Sequence, residues 1–268
     1  MGLDIYIYRV TNGTFKDFYE KFENKMNFYE KEEKILKKCF NNFVNDNKEK
    51  IDKLIDELKD ILDNNLNEER LKHKLFTITI ECQKNNCDAK EKKDTIKWNV
   101  FNCFGILKNI FSEITEEKKD EIIKKIIETT KEFVIREEDK KALDELEKEE
   151  KKIGDYNDML EEVAYFRKYN HLVEWVDENV QEVENGDYIK ITREQLQQLL
   201  EDAKKALQAY KEGDLDKVDE IMPTTSGFFF GDTEYNDYYK RKLEDTIEQI
   251  QNVLNNYSDK EFVFIADW

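Results

Sequence analysis

Proline is almost missing from this chain: one residue in 268, with eight glycines, four cysteines and two histidines. Each scarcity excludes something. With only His73 and His171 available, a Ser–His or Cys–His nucleophilic system has two possible bases and no more. Four cysteines (Cys39, Cys82, Cys87 and Cys103), all in the first 103 residues, do not form the dense framework of a small secreted domain, so free thiols are expected. No apolar run reaches the roughly 18–20 residues that span a bilayer. The opening Met1-Gly2-Leu3-Asp4 places a carboxylate where a signal peptide needs basic and then apolar residues. Tyr6 stands where N-myristoylation wants Ser or Thr. The expected compartment is the cytoplasm, with no membrane partner.

Several motifs are also missing. There is no Gly-x-Ser-x-Gly, no His-Glu-x-x-His and no Gly-x-Gly-x-x-Gly. The sequence therefore leans away from an enzyme and implies no cofactor. His73, Cys82, Cys87 and Cys103 do not make a zinc set, because Cys103 has no second close partner and His73 is nine residues from Cys82. They read as buried cysteines on strands, and no metal is expected.

Charge and aromatics are abundant. Forty per cent of residues are charged and the net charge is −18. Residues 151–268 carry 14 basic and 27 acidic side chains, net −13. That balance argues against nucleic acid as a partner, since phosphates want a basic face. It also raises the reading of an acidic decoy for a basic host protein, beside the plainer one of solubility. Seventeen Phe, 13 Tyr and three Trp demand burial, so a sizeable core is expected.

Periodicity gives the organisation. Leu3, Ile5 and Ile7 alternate with Asp4, Tyr6 and Tyr8, predicting a strand over 3–9. Helical spacing follows from Phe15 to Tyr29 and over 48–63. Residues 75–82 and 95–104 read as strands, and helices are expected at 106–115, 117–133 and 137–152. An amphipathic helix is expected over 156–180, with Val163, Phe166, Asn170, Val173 and Val176 on one stripe. A short strand at 188–191 precedes Thr192-Arg193-Glu194-Gln195, which has the form of a capping box for a helix stopping at Gly213. Asp232 or Thr233 is expected to cap a last helix to about Asn255, and 261–268 closes the chain as a strand. The class is α+β: a small antiparallel or mixed sheet covered by long helices. Residues 1–13 and 154–268 are expected to form the core domain, and 14–153 a mostly helical insertion.

Three of these stretches carry a resemblance. Gly2-Leu3-Asp4-Ile5-Tyr6-Ile7-Tyr8, the run Glu162-Val-Ala-Tyr-Phe-Arg-Lys-Tyr-Asn170-His171 and the run Pro223-Thr-Thr-Ser-Gly-Phe-Phe-Phe-Gly-Asp-Thr-Glu-Tyr235 resemble a family of small proteins of phages and prophages. The aromatic-rich end with Trp268 is similar too. The resemblance covers residues 1–10 and 155–268. Met222 departs from the leucine of that pattern, and the insertion makes this a long member. It implies a phage-borne accessory role, such as counter-defence, in the host cell.

The candidate site follows from scarcity again. The one proline and two of the eight glycines fall within Pro223–Gly231, so a defined loop is encoded. Its hydroxyls (Thr224, Thr225, Ser226) and Gly227, with Asp232 and Tyr235 just beyond, and free N–H groups of the next helix suit an anion. The plainer reading is a structural turn whose phenylalanines plug the core. Arg167, Lys168 and His171 form a cation cluster in an acidic half, read as one helical face aimed at an anionic ligand. Salt bridging is its competitor, with Arg167 pairing Asp4 or Asp232. Sequestering an anionic small molecule or blocking a host protein leads; an enzyme on a nucleotide-like or phosphorylated molecule is the alternative.

Overall fold

The structure, a computed structural model, describes residues 2–61, 67–85 and 115–268. The fold is α+β. Four antiparallel strands, β1 (Asp4–Val10), β2 (Leu160–Arg167), β3 (Ile189–Thr192) and β4 (Glu261–Asp267), form one sheet in the order β2-β1-β4-β3. As its alternation requires, β1 finds a partner near the C-terminus, with Tyr6 opposite Ile265. On its other side Tyr6 lies opposite Tyr165.

Two compact units result: residues Met1–Met26 with Ile153–Trp268, and Asn27–Lys152. The first takes in residues 14–26 because α1 (Phe15–Asp46) begins on the outer face of the sheet. There Phe15, Phe18 and Phe22 cluster with Val10, Tyr188 and Val263. Thr14 caps this helix reciprocally with Asp17: the Asp17 N–H donates to Thr14 Oγ1, and the Thr14 N–H donates to Asp17 Oδ2 at 2.7 Å.

The inner face, with Ile5, Ile7, Phe166, Ile191, Phe262 and Phe264, packs the main core with α6 (Asn170–Asn179), α7 (Arg193–Glu212) and α9 (Asp237–Asn256). The capping box at Thr192 and Gln195 is present, and Gly213 ends α7 in the left-handed conformation. A short helix, α8 (Leu215–Ile221), follows.

The second unit holds the rest of α1, then α2 (Lys48–Ile61), α3 (Glu68–Asn85), α4 (Glu116–Thr130) and α5 (Glu137–Ile153). Leu54, Leu58, Leu75, Phe76 and Ile122 are central to its core. Asn47 ties it, donating to the Phe43 and Val134 carbonyls and accepting from the Val134 N–H.

Two expected elements are corrected. Residues 75–82 are helix, not strand: Leu71, Leu75 and Ile78 share a buried face at helical spacing. Thr77 and Thr79 hydroxyls donate to the carbonyls four residues back, which satisfies them inside a helix. The helix expected over 156–180 is instead a short 3-10 turn, the strand β2 and then α6. Ala164 and Phe166 point in while Tyr165 and Arg167 point out, a period of two that pairs with β1. The strand expected at 95–104, and the helix at 106–115 apart from Thr115, which caps α4, lie outside the described residues.

Candidate functional site

Where β2 ends, the chain turns sharply. Lys168 has φ 62, in the left-handed region that bulky residues avoid at a cost of about 1–2 kcal/mol. Its N–H donates to the Leu3 carbonyl at 2.7 Å, and α6 begins two residues on. Gly231, itself at φ 88, lies against the Lys168 stem: a Cβ there would stand 3.4 Å from Lys168 Cβ. The 223–235 loop is therefore seated beside Lys168.

The loop is pinned elsewhere too. Leu3 N–H donates to the Phe229 carbonyl, Thr224 Oγ1 to the Thr233 carbonyl, and the Tyr235 hydroxyl to Asp219. Phe230 is buried with its ring 5.0 Å from Trp268, whereas Phe228 is 95% exposed. A Cβ on Gly227 would come within 2.7 Å of the Phe230 ring. Gly227→Ala is therefore expected to cost about 1–3 kcal/mol of overpacking strain, read by urea denaturation.

Behind this turn lies a buried polar cluster: Asn170, His171, Lys242 and Thr246, each at most 2% exposed. Asn170 Nδ2 donates to the Asp232 carbonyl at 3.1 Å, while its Oδ1 has no partner. His171 Nε2 lies 3.3 Å from Thr246 Oγ1, and its Nδ1 has no partner. No side chain caps α6, whose N-cap position is Tyr169. The Lys242 ammonium sits 4.5 Å from the Tyr238 ring centroid and 5.7 Å from that of Tyr169. Among the described residues no carboxylate lies within ion-pair distance of it. Burial lowers its pKa; Asp232 pulls the other way and Lys168 adds to the fall. Tyr169 donates to Asp245 at 2.7 Å, and burial with that carboxylate holds its phenol far above the ordinary range.

His171 is held neutral. Burial first, then the Lys242 charge, pushes its pKa from 6.5 to about 3. The folded value lies below the unfolded one, so this contribution is complete above pH 6.5. Below that the unfolded chain takes up a proton the folded chain refuses. Stability is expected to fall by up to about 1.4 kcal/mol per pH unit from this group. Melting curves between pH 7 and 5 check this, and His171→Gln should flatten the slope.

The expected site residues divide. Arg167 and His171 do not share a helical face, because Arg167 ends a strand and His171 opens a helix. Arg167 stands half exposed on the outer sheet face, its Nη1 3.5 Å from Asp4 Oδ1, and the Tyr165 hydroxyl donates to the same oxygen at 2.6 Å. That is the pairing the plainer reading foresaw. Lys168 meets the loop; His171 is core. The N–H groups after Gly231 do not await an anion. The last helix starts at Asp237, and Asn236 caps it by accepting from the Tyr238 and Tyr239 N–H groups. Asp232 does not cap it: its carboxylate accepts from the Glu234 N–H and from Asn236. Thr225 and Ser226 have hydroxyls without protein partners among the described residues, and Tyr235 is half-buried with its ring 4.9 Å from Tyr239.

Asn170 and Lys242 escaped the sequence reading. The signal for Lys242 was present: it falls on the buried stripe of α9 between Tyr239, Leu243 and Thr246. A lysine on an apolar stripe demands a reason.

Among the described residues no His, Cys, Asp and Glu gather as a metal site. His73 stacks on Phe40 with centroids 3.8 Å apart. Cys82 lies on helix α3 rather than a strand, and Cys87 and Cys103 fall outside the described residues. No described helix is long and apolar enough to cross a membrane. No protein-family model, curated protein or solved structure matches this chain.

Proposed function

We propose that this chain is a phage- or prophage-borne accessory protein that acts in the host cytoplasm by binding and sequestering an anionic small molecule. The observation that carries the reading is Lys242. Lys242 is a lysine 2% exposed whose ammonium faces two phenol rings, feels the Asp232 charge only at a distance and has no ion-pair partner among the described residues; burying such a charge is costly. Such a group persists where a bound anion repays it. The strained, exposed Lys168, whose charge acts on Lys242, the uncapped start of α6 and the spare Asn170 Oδ1 supply a second cation, oriented amides and one acceptor. The ligand class that fits is an anion also bearing a hydrogen-bond donor, as phosphorylated sugars and nucleotides do. The resemblance to phage proteins supports the biological setting; its motifs supply Lys168, Asn170, His171 and the 223–235 loop, while Lys242 lies outside them.

The test is a thermal-shift and turnover panel of nucleotides and sugar phosphates. A ligand at a hundred times its Kd adds about 2.7 kcal/mol to stability. At least one member is expected to stabilise the native chain and to be recovered unchanged. Conversion of that member would make the protein an enzyme, and a panel without effect would remove the reading.

A further inference from the structure

The outer sheet face opens toward Asp4. Its cross-strand rows place Arg167, Asp4 and Asp267 side by side, then Tyr165, Tyr6 and Ile265. The Tyr6 ring lies 5.1 Å from that of Tyr165 and 5.8 Å from that of Tyr8. Tyr165 is 36% exposed. Carboxylates rim these rings: besides burial, Asp4, Glu162 and Asp267 all push the Tyr6 phenol upward. Arg167 is committed to Asp4. Among the described residues Glu162 and Asp267 have no ion-pair partner.

We propose that this acid-rimmed aromatic face docks a basic peptide segment of a partner protein, with an arginine or lysine lying on Tyr6 between Glu162 and Asp267. Charge complementarity selects the occupant: tyrosine faces attract cations, and two unpaired carboxylates complete the seat. Docking uses the face and not the neighbouring sheet edge. Gln249 occupies that edge, its Oε1 accepting from the Tyr165 N–H at 3.1 Å and its Nε2 donating to the Tyr165 carbonyl at 3.0 Å. The seat is separate from Lys242, so the two proposals stand or fall apart.

The test uses the full chain, labelled with nitrogen-15, and a short peptide of alternating arginine and glycine, with a glutamate–glycine peptide as control. The arginine peptide is expected to shift the amides of Tyr6, Tyr165, Ile265 and Asp267; the control should shift none. Glu162→Gln with Asp267→Asn should weaken binding about tenfold. Glu182→Gln with Glu184→Gln removes equal charge from an exposed stretch of the same unit and should leave affinity unchanged. Equal losses in both pairs would mean diffuse attraction to an acidic surface and would overturn the proposal. So would shifts that avoid the tyrosines, or sedimentation showing a second copy seated on this face.

Discussion

Lys242→Met is expected to raise the midpoint of thermal unfolding while abolishing anion binding. Methionine keeps an unbranched stem and replaces the ammonium that faces the Tyr169 and Tyr238 rings by an uncharged thioether end. It removes the charge of a residue that is 2% exposed and has no ion pair among the described residues. Replacing buried charge by apolar volume is commonly worth about 1–3 kcal/mol to stability, less what the two cation–π contacts return. The same change takes away the cation at the centre of the proposed seat. Gain of stability with loss of binding is the mark of a functional residue held at a cost. If lysine served only the core, methionine would be neutral or harmful and ligand binding would persist. Differential scanning calorimetry with and without ligand reads both effects.

Trp175→Ala is expected to cost about 3–5 kcal/mol, as large core aromatics do on truncation. The indole is 1% exposed, and its Nε1 donates to Asp202 at 3.2 Å, joining α6 to α7. Its loss opens a cavity under the inner sheet face and frees a carboxylate oxygen. Phe228→Ala supplies the contrast: at 95% exposure its ring touches little beyond Phe229, and the change should fall within about 0.5 kcal/mol. Urea denaturation of both variants measures the difference. A costly Phe228→Ala would mean that the loop phenylalanines plug the core together; the structure instead turns one in and one out.

Strands β1 and β3 were legible because each alternates beside turn or capping chemistry, and β4 because it is a short continuous run of aromatic and β-branched residues. Thr192 and Gln195 could be read for the same reason, since their partners lie three residues apart. β2 was not legible: Val163, Phe166 and Asn170 fit a helix as well as they fit a strand running into α6, and only pairing with β1 decides between them. Residues 75–82 misled in the opposite direction. β-branched Thr and Ile favour strands, but packing of Leu71, Leu75 and Ile78 overrides that preference. The candidate site was half legible. Glycine and proline marked the loop, and the structure sets Lys168 beside its Gly231. Arg167 and His171 were misplaced with the helix that was expected to carry them. Asn170 became visible as a candidate only once tertiary packing had buried it with an oxygen unpaired.

The central claim is that one seat around Lys242 holds an anionic small molecule. Native mass spectrometry of the full chain purified from the cells that express it tests it most directly, run beside Lys242→Met prepared in the same way. The native chain is predicted to retain a small anionic mass that dissociates on activation, and the variant to lack it. Bare protein in both samples, or the same adduct in both, would contradict the account.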